Sequence, residues 1–355
     1  MDPIKEILSS LEACPQRSGM QLMDAVKFCF QAFLGMGHLL AEKEVVTGYI
    51  QREMDGVPAD PEEPLTESLG PYFCRVNLRR AKAEGLRAEI IAGLMLHAAS
   101  APFSREQFEL HLLDIASAWS FPSPEPLLPL IRDQGWLPSH SEEYRQLYRP
   151  AYRVIPRETE PLLPALCAVS RAMDRPRLLV TLDGPCASGK TTLAGNMAKI
   201  LGGEVIHTDD FVIPHAQKTP ERLSIPGGNC DAERLVPEVL EPYLAGARGT
   251  YRTYDFRNDR LAPPLPLPEA PVLILEGSYC NVPAIRALAG VRLFLDTSFE
   301  TRMARLRLRE SPESLARFQR MWIPLEDAYF THFHLPDEDC IVIRDTEIQP
   351  GGSAT

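Results

Sequence analysis

The 355-residue chain has no two cysteines at C-x-x-C spacing. Its eight cysteines stand singly at 14, 29, 74, 167, 186, 230, 280 and 340. That spacing suggests neither a disulfide framework nor a zinc knuckle, and it fits a reduced, cytoplasmic setting. No apolar run is long enough to cross a bilayer. The opening residues, Met1-Asp-Pro-Ile-Lys-Glu-Ile, lack the basic segment and apolar stretch of a signal peptide. Positive charge is not in excess either. A formal net charge of −11 argues against nucleic acid and anionic membrane as partners. Internal repeats are not evident. Length is plentiful: it exceeds what one core usually serves, so two domains are expected.

Residues 1–155 read as a mainly α-helical domain. Apolar residues recur at helical spacing in Met20–Leu34, Ala81–Ala99 and Arg105–Trp119, the last opened by a Ser104 N-cap with Gln107 at its third position. No alternating strand pattern stands out there. Proline clusters at 122–129 and 156–164 punctuate the chain, and 156–174 is the expected linker. Two stretches in this half draw notice, Gly35-Met-Gly-His38 and Gly70-Pro-Tyr-Phe-Cys-Arg75-Val-Asn77. A lone histidine beside leucines is more often structural than functional. This half could sense a ligand, mediate homo-oligomer formation or hold a second activity.

From 175 to 350 the pattern changes to short apolar strands alternating with helices. Strands are expected at Leu178–Asp183, Glu204–His207, Val272–Glu276, Val291–Asp296 and Cys340–Arg344, and helices at 190–201, 231–245, 299–310 and 314–331, the last bent by Pro324. Such alternation implies right-handed crossovers and an α/β fold with a parallel sheet flanked by helices. Ligands in such sheets bind at the carboxyl ends of the strands. The proline-rich stretch 262–271 reads as an extended connector.

Between the first expected strand and helix runs Gly184-Pro185-Cys186-Ala187-Ser188-Gly189-Lys190-Thr191-Thr192, a match to G-x-x-x-x-G-K-[ST] in strand–loop–helix context. Loop N–H groups and the helix dipole make an anion cradle. Lys190 would reach the β- and γ-phosphates of ATP, and Thr191 could ligate Mg²⁺. Cys186, near a helix N-terminus, would have a lowered thiol pKa, though a small filler is the plainer reading. Further sites follow at strand ends. Asp209 or Asp210 could take a proton from an attacking hydroxyl and help hold Mg²⁺, and Glu276 could supply a second carboxylate to the metal. Arg302, Arg305 and Arg309 fall on one helix face and could neutralise a transferring phosphoryl group, the helix acting as a lid. Asn229, Asp231 and Tyr254 lie where an acceptor pocket would be inserted.

The order P-loop, Asp209-Asp-Phe211, Asn229-x-Asp231, Tyr254-Asp-Phe256, Glu276-Gly277, then Asp296-Thr-x-x-x-Thr-Arg302-x-x-Arg305 resembles the uridine kinase and phosphoribulokinase group of P-loop kinases, over roughly residues 175–346. Arg320–Phe330 is more similar to a bacterial branch called uridine-kinase-like. The resemblance implies Asp209 as general base and magnesium contact, Glu276 as second acidic metal contact, Asp231 and Tyr254 as acceptor-binding positions, and Arg302 and Arg305 as lid arginines. It implies ATP- and Mg²⁺-dependent transfer to a hydroxyl of a small molecule. The chain departs from that group in two places. Phe256-Arg-Asn-Asp-Arg260 offers no histidine after the tyrosine-aspartate pair, and Glu310-Ser-Pro-Glu313 is a short, acidic lid segment. Rival readings are a nucleotide-binding regulatory module whose helical half contacts a protein partner, and a simple NTPase.

Overall fold

The computed structural model describes residues 3–12, 19–34, 43–98, 129 and 139–345. The chain divides into two compact units, the boundary falling between Leu163 and Pro164. His38 and the helix expected over 105–119 with its Ser104 cap lie outside the described residues, as does most of the 122–129 proline cluster.

The first unit contains helices α1 (Pro3–Glu12), α2 (Leu22–Leu34), α3 (Lys43–Asp55), α4 (Leu78–Ala83), α5 (Ala88–Ala98) and α6 (Glu142–Tyr148). It also contains a sheet that sequence periodicity did not reveal. Strands β1 (Thr66–Leu69), β2 (Phe73–Asn77) and β3 (Tyr152–Pro156) pair antiparallel in the order β1-β2-β3. Cys74, Arg75 and Val76 of β2 are buried in succession, so no apolar–polar alternation marks it. The helix expected over 81–99 is two helices. Gly85, at a φ of +71°, turns the chain between α4 and α5, and Asn77 caps α4 by accepting from the Arg79 and Arg80 N–H groups. Residues 157–172, within the expected linker, are helical, as the turn Arg157–Leu162 and α7 (Leu163–Ala172).

The core of this unit holds a polar cluster. Asp24 is fully buried and accepts hydrogen bonds from the Gln21 and Ser141 N–H groups and the Ser141 hydroxyl. Its carboxylate also meets His140 Nδ1 at 2.8 Å, and His140 Nε2 meets the Tyr152 hydroxyl. Phe28 and Tyr144 pack on the imidazole. Desolvation lowers the His140 pKa to about 4, outweighing the pull of Asp24.

The second unit is built on β4 (Leu178–Asp183), β5 (Glu204–His207), β6 (Val272–Glu276), β7 (Val291–Asp296) and β8 (Cys340–Arg344), each with the bounds expected from sequence. They form one parallel sheet in the order β8-β7-β4-β6-β5. Leu273 and Leu275 of β6 join Leu179 and Ile206 in an apolar cluster with Leu235, Val239 and Leu240 of α9, the helical run 232–244. Alternate residues Val272 and Ile274 point to the other face, and both are fully buried. Both faces of β6 are therefore covered, which is why this central strand reads as an unbroken apolar run up to Glu276. Helices α8 (Lys190–Leu201), α10 (Phe299–Arg309) and α11 (312–333) belong to the same unit, with shorter helices and two small two-stranded sheets between 220 and 286. Within α11 a π-helical turn at Phe318–Trp322 precedes Pro324, which falls in the first turn of the following α-helical segment. The proline is thus accommodated where its missing N–H costs least. Among the described residues no helix is long and apolar enough to cross a membrane.

Candidate nucleotide and acceptor site

Parallel pairing carries Asp183, His207, Glu276 and Asp296 to one edge of the sheet, in register: Glu276 pairs with His207 on one side and Leu182 on the other. The glycine loop springs from that edge. Gly184 has a φ of +144°, and a Cβ there would come within 2.5 Å of the Leu295 carbonyl oxygen, so no side chain fits. Ala187 and Gly189 are also left-handed, at +58° and +103°. These turns curl the loop onto the N-terminus of α8 and give the anion-binding geometry expected of it. The second unit therefore has a P-loop nucleotide-binding fold.

Lys190 is buried, and its ammonium donates to the Gly184 and Pro185 carbonyls at 2.8 and 2.9 Å. The Thr191 hydroxyl donates to Glu276 Oε1 at 2.9 Å, so two of the expected metal contacts converge. His207 Nδ1 meets the same Glu276 oxygen, and that bond raises the imidazole pKa above its ordinary value against the opposing effect of burial. Asp209 follows on a short helical turn, Thr208–Phe211, with its surface open to solvent. Its carboxyl is nonetheless held above its usual range, first by loss of hydration among the surrounding protein and then by Glu276, while Lys190 opposes the rise. Among the described residues no three His, Cys, Asp or Glu side chains gather as a metal site. A magnesium ion would suit the Thr191–Glu276 pair only with phosphate oxygens and water filling its remaining positions, which is how that ion commonly binds.

The arginines divide. Arg302 is buried against the loop, its Nη1 pointing at Cys186 Sγ at 3.8 Å and its Nε sealed from solvent without a partner. An unpaired buried guanidinium nitrogen beside an anion cradle fits a phosphate-bearing ligand. Arg305 donates to the Ser188 carbonyl at 2.7 Å and to Asp345 at 2.8 Å, so it braces the loop. Arg309, expected on the same face, is exposed and pairs with the adjacent Glu310. Cys186 corrects its expectation: burial first, then Glu326 beside it, push the thiol up to about 12. At that value it stays a thiol.

Two residues that sequence reasoning passed over hold the loop from beneath. Asp183, fully buried, accepts from the Gly184 N–H at 2.8 Å, from the Asn281 N–H and amide at 3.1 and 3.0 Å, and from the Tyr329 hydroxyl at 2.7 Å. Glu326, one helical turn before Tyr329 on α11, accepts from the Cys186 N–H at 2.9 Å and the Ser278 hydroxyl at 2.5 Å. The i, i+3 spacing of Glu326 and Tyr329 on one helix was the available signal.

The expected acceptor residues sit close to Asp209. Asn229 and Asp231 are buried on a segment bridged to 211–213: the Asp231 N–H donates to the Phe211 carbonyl at 2.6 Å and the Ile213 N–H to the Asn229 carbonyl at 3.1 Å. Arg222 clamps this segment by donating to the Gly228 carbonyl and pairing with Glu233. Desolvation raises the Asp231 pKa, with Arg234 opposing. Tyr254 is committed within the fold, for its hydroxyl donates to Asp259 and accepts from the His215 N–H at 3.3 Å. The His215 ring stands edge-on to Tyr254 at 6.4 Å, so a histidine does flank this tyrosine, from a segment distant in sequence.

No family model matches the chain, and no curated protein matches it. Among solved structures it is similar to a proposed fructose transport system kinase from Silicibacter sp. TM1040, at 26% identity and a TM-score of 0.40, over 48% of this chain and 94% of that one. It is similar to a possible uridine kinase from Bacillus stearothermophilus at 19% identity and a TM-score of 0.37, over 49% and 98%. It is also similar to a deoxyadenosine kinase from M. mycoides at 16% identity and a TM-score of 0.24, over 48% and 95%. These three TM-scores all lie below 0.5.

Proposed function

We propose that the second unit transfers the γ-phosphoryl group of ATP, with Mg²⁺, to a hydroxyl of a small nucleoside-like molecule. The observation that carries this reading is the position of Asp209, between the Lys190–Glu276 side of the site and the 211–213/229–231 segment. A hydrolase needs only water there. A built segment bearing Asn229 and Asp231 next to a carboxylate of raised pKa suits a second substrate with hydroxyls to orient. Asp209 accepts the proton of the attacking hydroxyl as the new O–P bond forms, and ADP departs. Lys190 and Arg302 face the charge spread over the transferring group. Bound through Thr191 and Glu276, Mg²⁺ would supply charge neutralisation at the phosphate oxygens. Arg305 and Asp345 keep the loop in shape.

ATP consumption with and without nucleosides and sugars tests the reading. Turnover strongly dependent on one acceptor supports it. Turnover indifferent to acceptor identifies an NTPase, and tight binding with negligible turnover a regulatory module.

A further inference from the structure

Tyr279 stands three residues after Glu276 and has a φ of +76°, a left-handed conformation that is strained for a bulky aromatic residue. Its surroundings leave it no alternative. Gly277, at +133°, lies so close to Thr208 that a Cβ would collide with the threonine hydroxyl. That hydroxyl donates to the Ser278 carbonyl at 2.9 Å, the Ser278 hydroxyl donates to Glu326, and Asn281 is fastened to Asp183. With both flanks pinned, the turn delivers one ring to one place.

That place adjoins the expected acceptor pocket. Tyr279 belongs to the apolar cluster that includes Phe211, Cys230 and Tyr329, and it packs edge-on against Tyr329 at 5.0 Å. Phe211 follows Asp209 and Asp210 directly, and Cys230 separates Asn229 from Asp231. The residue is only 8% exposed, yet among the described residues its hydroxyl has no hydrogen-bond partner and is not sealed from solvent. A buried tyrosine hydroxyl usually has a partner, so a ligand is the natural source of this one. Burial and the carboxylates of Glu326, Asp183 and Asp209 hold the phenol well above its ordinary pKa, so it remains an O–H donor. The same carboxylates make the surroundings hostile to an anion. Arg222 and Arg234, which flank the acceptor segment, are already paired with Glu233 and Glu238.

We propose that Tyr279 is a specificity-determining residue of the acceptor pocket, presenting its hydroxyl to an uncharged, hydroxyl-bearing ring compound such as a nucleoside or sugar and disfavouring phosphorylated acceptors. This rests on the kinase reading above. The test is steady-state kinetics with ATP and uridine, adenosine, D-ribose or D-fructose, each beside its monophosphate. The wild-type protein is expected to use at least one neutral compound about tenfold or more better, in kcat/KM, than the phosphorylated form, as an unpaired buried charge requires. With that compound as probe, Tyr279→Phe should raise its KM about 3- to 10-fold, the loss of one neutral hydrogen bond, while KM for ATP stays within about twofold. Tyr279→Asn, which tolerates a left-handed backbone, should raise it further by removing the ring. If a neutral acceptor is used but Tyr279→Phe leaves its KM unchanged, or shifts KM for ATP equally, the role of Tyr279 is overturned. Preference for a phosphorylated acceptor overturns the substrate class. If no acceptor stimulates turnover, the kinase reading itself falls and takes this proposal with it.

Discussion

Acidification should loosen the first unit through His140 well before it protonates Asp24. The unfolded histidine titrates near 6.5 and the folded one near 4, because the buried imidazole is costly to charge. Between those values the unfolded state binds more protons, so stability is greatest above pH 6.5 and falls as pH drops towards the folded value. At about 1.36 kcal/mol per pKa unit, the interval amounts to about 3 kcal/mol lost between pH 7 and pH 4. Asp24 acts elsewhere on the scale: its folded pKa is lowered, so its contribution disappears only below its unfolded value of 3.8. Lys27, depressed to about 8, changes protonation above the window. His207 in the second unit runs the other way, its raised pKa favouring the folded state in acid and losing that contribution as pH rises through the folded value. The measurement must therefore be local. Hydrogen exchange at the Ser141 and Tyr144 amides from pH 7 to pH 4, corrected for intrinsic exchange, should show protection falling by about 3 kcal/mol. In His140→Gln that slope should vanish. An unchanged slope in the variant would refute the assignment.

The site yields further expectations. Lys190→Ala should lower turnover by about 10²-fold or more, read by ATP consumption, since its buried ammonium lies against the loop's own Gly184 and Pro185 carbonyls. Asp209→Asn should lower acceptor-dependent kcat by about 10²- to 10⁴-fold while ATP affinity, measured by calorimetry, changes little; undiminished phosphorylation would remove Asp209 as the base. Gly277→Ala forces a side chain onto Thr208 at a left-handed backbone, and should cost about 1–3 kcal/mol in chemical denaturation and displace Glu276. Tyr329→Phe leaves Asp183 and the Asn281 N–H each without one partner, at about 1–3 kcal/mol, and should raise KM for ATP through the loosened loop.

Much of the second unit was legible because its physics is local. The central strands β4 and β6, buried along their whole length, read as apolar runs, and the glycine spacing of 184–189 suits a tight anion-binding turn. The first unit was less legible. Its strands are four or five residues long, and three successive buried positions in β2 erase the period-two signature. The site shows the same division. Sequence alone pointed to Lys190, Thr191, Glu276 and Arg302, because each stands at a fixed offset from a strand end or on a helix face, whereas only the family resemblance preferred Asp209 to Asp210. It could not show that Arg305 braces the loop, that Tyr254 is spent on Asp259, or that the Cys186 thiol is raised. Those outcomes depend on what else is nearby, and Asp345, His215 and Glu326 arrive from distant parts of the chain. Glu326 and Tyr329 lie about 140 residues beyond the loop they support. Only the parallel sheet and the packing of α11 bring them beneath it, and burial then decides which groups are charged.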